Sequence, residues 1–343
     1  MTGSDVGEPV DPVGADAPPS GPKKTRKPYV WTPPQVPGWA DLKAGGARRA
    51  AWLRYWRGAG VQDLADFALH ALFRILPIGL VSAIGGALGR FVGPRFHPEA
   101  VVRARANLKR IDPSLSDAEV EARIVSHFDN AGRVMAEFSI LHRLVQSGRI
   151  TVENAEPLLR RHREGPLLIV ACHTGNWEAV GALMQSAGIE WSAVYTPPGR
   201  PAQQVIAERV RRQFGVHMLP PGMPGVRPTI RTLEAGGAVS MFCDEVHDGK
   251  VMAPFFDRAP HLDGNLAIAL RFARLTGAQV FVGHGVRLNG ARFHVTCSDA
   301  VALPSHTDPA ATLLDDVIAL NAILEPIVRA NCGQWYFLDN AFE

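Results

Sequence analysis

Two residues in the stretch VACHTGNWEAVG, positions 170–181, have the types that proton-transfer chemistry needs. His173 follows an apolar run, and Glu178 comes five residues later. On an unbroken helix, residues five apart point about 140° away from each other and do not meet. Thr174-Gly175-Asn176 supplies a break. Thr174 or Asn176 can cap a helix start, and Gly175 permits a left-handed turn. Glu178 then falls in the first helical turn, from where it can reach back to one ring nitrogen of His173. A carboxylate there fixes the tautomer and stabilises the imidazolium formed when the other nitrogen takes a proton. The pair reads as a general base with an orienting acid. No protein nucleophile accompanies it. G-x-S-x-G is absent, and Cys172, next to His173 on an alternating strand, points away from it. The nucleophile is then a substrate hydroxyl. A capped helix carrying an ordinary surface glutamate also explains the spacing taken alone.

Positioning such a pair requires a sheet whose strand ends converge. PLLIVAC (166–172) predicts a buried strand and NWEAVGALMQSAG the helix after it. Strands are expected at 191–195, 238–243, 278–283 and 292–297. Helices are expected at 202–214, TIRTLEAG, LAIALRFARLTG and LLDDVIALNAILEPIVRA. Ser116-Asp-Ala-Glu119 is a capping box opening a long amphipathic helix whose apolar positions run from Val120 to Phe138. The alternation implies an α/β fold, a mixed or mostly parallel sheet flanked by helices, preceded by an N-terminal amphipathic or membrane-associated helical segment. In such sheets ligands bind beyond the carboxyl ends of the strands, where His173 stands.

The 343-residue chain is 46% apolar, which excludes a multi-span membrane protein. Its net charge of +3 hides an asymmetry: residues 46–110 hold eleven Arg/Lys against three acids. That segment suits an anionic surface. Within it, Ile75 to Gly89 is uncharged for 15 residues between Arg74 and Arg90, short of the ~20 needed for a full span. It is a short tilted span, a helix lying in the membrane interface, or a buried core helix. No nucleic-acid motif, P-loop or G-x-G-x-x-G is present, so no nucleic-acid partner is expected. The four cysteines lack metal spacing and read as buried thiols. Residues 1–45, rich in Pro and Gly, read as a disordered tail without signal-peptide character, 46–112 as the membrane-associating segment and 113–343 as the catalytic domain.

His173-Thr-Gly-Asn-Trp-Glu178 resembles the His-x4-Glu/Asp motif of the lysophospholipid acyltransferase superfamily. Around it, Tyr195-Thr-Pro-Pro, Arg227…Leu233-Glu-Ala-Gly-Gly…Asp244-Glu245, Pro254-Phe255-Phe256 and Leu275-Thr-Gly-Ala278 follow the order seen in lipid A late acyltransferases. The resemblance covers about residues 60–343. It implies acyl transfer from an acyl carrier protein or acyl-CoA thioester to a hydroxyl of a membrane lipid, at the cytoplasmic face of the inner membrane. It implies His173 as base and Glu178 as its holder, and needs no metal or cofactor. Backbone N–H groups at Gly175–Trp177, or Arg200 or Arg227, are the expected oxyanion donors. Asn176, Arg200, Arg227 and Asp244 are the expected substrate-binding residues, with Asp244 equally suited to capping a turn. His247 and His284 are weaker candidates, and Pro254-Phe-Phe reads as packing beside an acyl groove.

Four positions depart from the family's pattern. Thr196 replaces the arginine of a Tyr-Arg-Pro turn, and Glu245 stands where glutamine is common. Asp339 and Asn340 stand where the family has bases after Trp335. The last change points to a different or less anionic acceptor, such as another phospholipid or glycolipid. A catalytically silent membrane scaffold of the same fold is the rival reading.

Overall fold

The computed structural model describes residues 36–342. Most of the expected tail, residues 1–35, lies outside the described residues, and within its last ten residues α1 (Trp39–Lys43) is helical. Four more helices precede the sheet and its supporting layer: α2 (Gly46–Arg57), α3 (Ala59–Ile75), α4 (Ile78–Phe96) and α5 (Pro98–Ile111). Pro77 separates α3 from α4, since the residue before a proline is driven to extended backbone, and Leu76 has ψ 154°. The apolar stretch 64–93 is therefore two helices. No helix among the described residues is long and apolar enough to cross a membrane.

α6 (Asp117–Glu137) begins at the expected capping box, with Glu119 N–H donating to Ser116 Oγ at 3.3 Å and Ser116 N–H to Glu119 Oε2 at 2.8 Å. It packs on α4 with little between the backbones. A Cβ on Gly132 would lie 2.2 Å from the Gly85 carbonyl oxygen, so only glycine allows this approach. A short α7 (Leu141–Gln146) leads into the sheet.

The sheet has seven strands. In chain order these are β1 (Ile150–Glu153), β2 (Leu167–Ala171), β3 (Trp191–Val194), β4 (Val216–Leu219), β5 (Ala238–Phe242), then, after the small hairpin of β6 (Val246–His247) and β7 (Lys250–Val251), β8 (Gln279–Asn289) and β9 (Arg292–Cys297). Their order across the sheet is β1-β9-β8-β2-β5-β3-β4. β8, β2, β5, β3 and β4 are mutually parallel, while β9 runs antiparallel to β8 and carries β1 parallel to itself. The remaining helices are α8 (Ala155–His162), α9 (Gly181–Ser186), α10 (Pro201–Gln213), α11 (Met223–Glu234), α12 (Asn265–Thr276) and α13 (Leu313–Ala330). The mixed, mostly parallel α/β sheet is as expected; β1, β4 and the hairpin had not been foreseen.

All five residues of β2 are buried, because helices cover both faces. Leu168 and Val170 join one apolar core with residues of α5, α6, α12 and α13. Leu167 and Ile169 join the other with residues of α7, α9 and α10. Cys172 continues the first set, so it does point away from His173.

Candidate active site

β2 and β5 are neighbours in register, with Ala171 opposite Phe242. Two residues past each of these strand ends stand His173 and Asp244. Asp244 Oδ1 lies 2.7 Å from His173 Nδ1, and Oδ2 accepts the backbone N–H of His173 at 2.7 Å. Trp335 Nε1 donates to the same Oδ2 at 2.8 Å. Asp244 is fully buried, and these three donors occupy both of its oxygens. With Nδ1–H donating to Asp244, Nε2 is the ring nitrogen left to accept a proton.

The carboxylate on the His173 ring is therefore Asp244 and not Glu178. Asn176 has extended backbone and caps the following 3-10 turn, its Oδ1 accepting Glu178 N–H at 3.2 Å. That turn sends Glu178 to Arg211 of α10, whose guanidinium meets it through both Nη2 and Nε. Burial disfavours charge on Arg211, yet the Glu178 carboxylate outweighs it and raises the guanidinium above its usual range. Arg211 also lies over the Tyr195 ring, 4.4 Å from its centroid.

Gly175 makes the His173 turn possible. It has φ 57°, and a Cβ there would sit 2.6 Å from the Gly285 carbonyl oxygen. The turn is tied down by Gly175 N–H donating to the Gln334 carbonyl at 3.1 Å and by Tyr336 N–H donating to the His173 carbonyl at 2.9 Å. The C-terminal segment thus closes over the site. The rings of Tyr336 and Phe337 flank His173, at 6.5 and 4.9 Å between centroids.

His173 stands on the wall of a 370 Å³ cavity. It runs between the β2, β3 and β5 ends and α9 and α10, lined by Ile169, Met184, Trp191, Phe214 and Phe242, with Glu178 and Arg211 in one wall. Its size suits a small apolar ligand.

The other expected binding residues lie elsewhere. Asn176 is buried, and its Nδ2 donates to Glu137 Oε2 at 2.9 Å, inside a network where Arg287 grips both Glu137 oxygens at 2.6 and 2.9 Å. Arg200 bridges Asp63 at 3.1 Å and Asp66 at 3.0 Å on α3. Arg227 is exposed on α11, outside the cavity wall. Asp244, expected to bind substrate or cap a turn, instead holds the His173 ring and backbone. His247 is exposed in the β6–β7 hairpin, and burial holds the His284 imidazole below its usual range on β8, away from the cavity. Phe255 and Phe256 are fully buried against Trp335, packing rather than cavity wall. Arg211 and Trp335 were not singled out as site residues. Arg211 lies 33 positions from Glu178, a separation with no local signature.

Among known proteins, the family model described as "Bacterial lipid A biosynthesis acyltransferase" matches residues 51–343. The lipid A biosynthesis myristoyltransferase of Escherichia coli (strain K12) is 30% identical over 190 residues, 53% of this chain and 56% of that protein. The lipid A biosynthesis acyltransferase 1 of Shigella flexneri matches to the same extent. The aligned part thus spans little more than half the length of these relatives. A solved structure, the 1-acyl-sn-glycerophosphate (LPA) acyltransferase PlsC from Thermotoga maritima, aligns at a TM-score of 0.34 and 13% identity over 76% of this chain and 95% of that one.

Proposed function

The chain belongs to the bacterial lipid A biosynthesis acyltransferase family, and we propose that it transfers a fatty acyl group from an acyl thioester to a hydroxyl of a lipid A precursor or related membrane glycolipid. The observation that carries this reading is the His173–Asp244 contact of 2.7 Å at the edge of an apolar cavity. The cavity takes the acyl chain, which brings the thioester carbonyl to His173. Nε2 accepts the hydroxyl proton as the oxygen attacks the carbonyl carbon. Asp244 holds the ring and stabilises the imidazolium. When the tetrahedral intermediate collapses, the C–S bond breaks and the imidazolium returns the proton to the departing thiolate. Glu178 and Arg211, paired to each other, shape the cavity wall beside this centre. The donor is acyl carrier protein or acyl-CoA, and residues lining the cavity supply all the acid–base groups the transfer uses.

The protein acts at the cytoplasmic face of the inner membrane, docked through α3 and α4. Val61, Leu64, Leu72 and Ile75 are exposed and fall within one face of α3, as Leu80, Leu88 and Phe91 do on α4. The basic residues of 46–110 would meet anionic headgroups.

Mass spectrometry of total lipids tests the reading, comparing a deletion strain complemented with wild type or with His173→Ala. One lipid should lose a single acyl chain's mass, restored by wild type alone. If no lipid changes, or if both versions restore it, the silent scaffold becomes the better account.

A further inference from the structure

Glu245 follows Asp244 and lines the same cavity as His173. Its Oε1 accepts the backbone N–H of Asn265, the first residue of α12, at 2.6 Å. Gly264 packs against that carboxyl: it has φ 87°, and a Cβ there would lie 2.9 Å from Oε1. The carboxyl is thus held in place from one side. Its Oε2 is buried and has no hydrogen-bond partner among the described residues. A buried polar oxygen left unpaired is costly, which implies a partner that the folded chain does not itself provide.

The protonation state follows from the surroundings. The Glu245 carboxyl is pushed up to about 7, chiefly by burial and also by the neighbouring Asp244 carboxylate, against the opposing pull of the Asn265 N–H and His173. Burial keeps the Cys172 and Cys243 thiols neutral. Across the cavity, Glu178 and Arg211 neutralise each other, and burial keeps the Tyr195 hydroxyl protonated, pushed up to about 12. Since Oε1 already accepts a hydrogen bond, the proton sits on Oε2.

The acyl transfer needs donors for its oxyanion, and several candidate groups are committed elsewhere. Arg200 is held by Asp63 and Asp66, Arg211 by Glu178, and Gly175 N–H by the Gln334 carbonyl. We propose that protonated Glu245 donates from Oε2 to the carbonyl oxygen of the acyl group, and so stabilises the negative charge that develops there. A carboxylic acid kept neutral by its site is a strong donor to an oxyanion. The proton stays on Glu245 throughout, and no further bond changes. Glutamine, with its Nε2–H, would serve in the same place. This role rests on the acyltransferase reading above.

The test follows thiol release from lauroyl-coenzyme A, with an under-acylated lipid A precursor in detergent as acceptor, from pH 5.5 to 9. Wild type, Glu245→Gln and Glu245→Leu are compared. Wild-type kcat should fall as pH rises through about 7, because ionised Glu245 no longer donates and repels the oxyanion. Glu245→Gln should keep kcat within about threefold of wild type at pH 6 and lose that alkaline fall. Glu245→Leu should lower kcat about 100-fold with KM little changed, the usual cost of one oxyanion donor. The proposal is overturned if Glu245→Leu stays within about threefold of wild type, or if Glu245→Gln shows the same alkaline fall. If the leucine variant does not fold, the glutamine profile alone decides. Wild type that releases no thiol with any acyl donor sinks the acyltransferase reading itself, a failure distinct from any difference among the variants.

Discussion

His173 and Asp244 meet because each stands two residues beyond the end of its own strand, and those strands are adjacent, parallel and in register. Their separation of 71 positions carries no local periodicity. The contact exists only once β5 is placed beside β2. If Asp244 sets the tautomer, Asp244→Asn should leave the fold intact and lower kcat by 100- to 10,000-fold, as an amide on Nδ1 can impose the wrong tautomer. His173→Ala should cost at least about 100-fold. Circular dichroism and steady-state kinetics on the purified variants check both. An Asp244→Asn enzyme of near-normal rate would remove Asp244 from the mechanism.

The strongest local patterns were legible in the sequence. The capping box at Ser116, the β9 segment and the α13 bounds stand as expected. Those signals are local, set by caps and by apolar period. The His173 turn was legible for the same reason, with Gly175 in the left-handed region. What failed was pairing at a distance. Glu178 lay near in sequence and was assigned to His173, but one 3-10 turn directs it to α10. β8 was expected to end at residue 283, yet it extends to Asn289. Its second half, with a histidine, a glycine and an arginine, lacks the apolar run of a buried strand. Asn289-Gly290, a hairpin turn signal, could have revealed the β8–β9 pairing. Arg200 and Asn176 have the residue types that bind substrate, but tertiary contacts with α3 and Glu137 commit them.

Membrane docking through α3 and α4 predicts a specific loss. Leu72 and Phe91 are 47% and 57% exposed, so replacing them with glutamate should not disturb the cores. Each exchange removes apolar area from the interface and adds a charge repelled by anionic lipid. Partitioning onto phosphatidylglycerol-containing vesicles should fall about tenfold per site. Co-sedimentation with vesicles measures it, and unchanged binding by the double variant would place the docking surface elsewhere.

Glu245 links the site to stability through pH. Its folded-state carboxyl is raised to about 7 from 4.5, so its stabilising contribution is complete below about pH 4.5 and is lost as pH rises through 7. Glu245→Gln keeps the Oε1 acceptor for Asn265 and cannot ionise. The variant should therefore melt at a higher temperature than wild type at pH 8, and the gap should close towards pH 4.5. Thermal unfolding at the two pH values reads the difference. A gap that does not depend on pH would mean that Glu245 is not titrating in the folded protein.

Glu178 and Arg211 set apart a charge that reacts from a charge that supports. Their side chains are 12% and 19% exposed, and each supplies the other's main compensation. Removing Glu178 alone leaves a nearly buried guanidinium unpaired, which should cost about 3 kcal/mol or more of stability. Arg211→Met alone leaves the carboxylate stranded, with a similar penalty. In the double variant Glu178→Met/Arg211→Met both charges are gone and apolar side chains of similar length fill the wall. Much of the stability should return, giving a coupling energy between the two sites. If the pair only shapes the cavity, activity should recover together with stability, most of it through KM. Suppose stability returns while kcat stays low. Glu178 would then act on the reacting atoms themselves, and the five-residue spacing from His173 would have a chemical purpose besides the structural one.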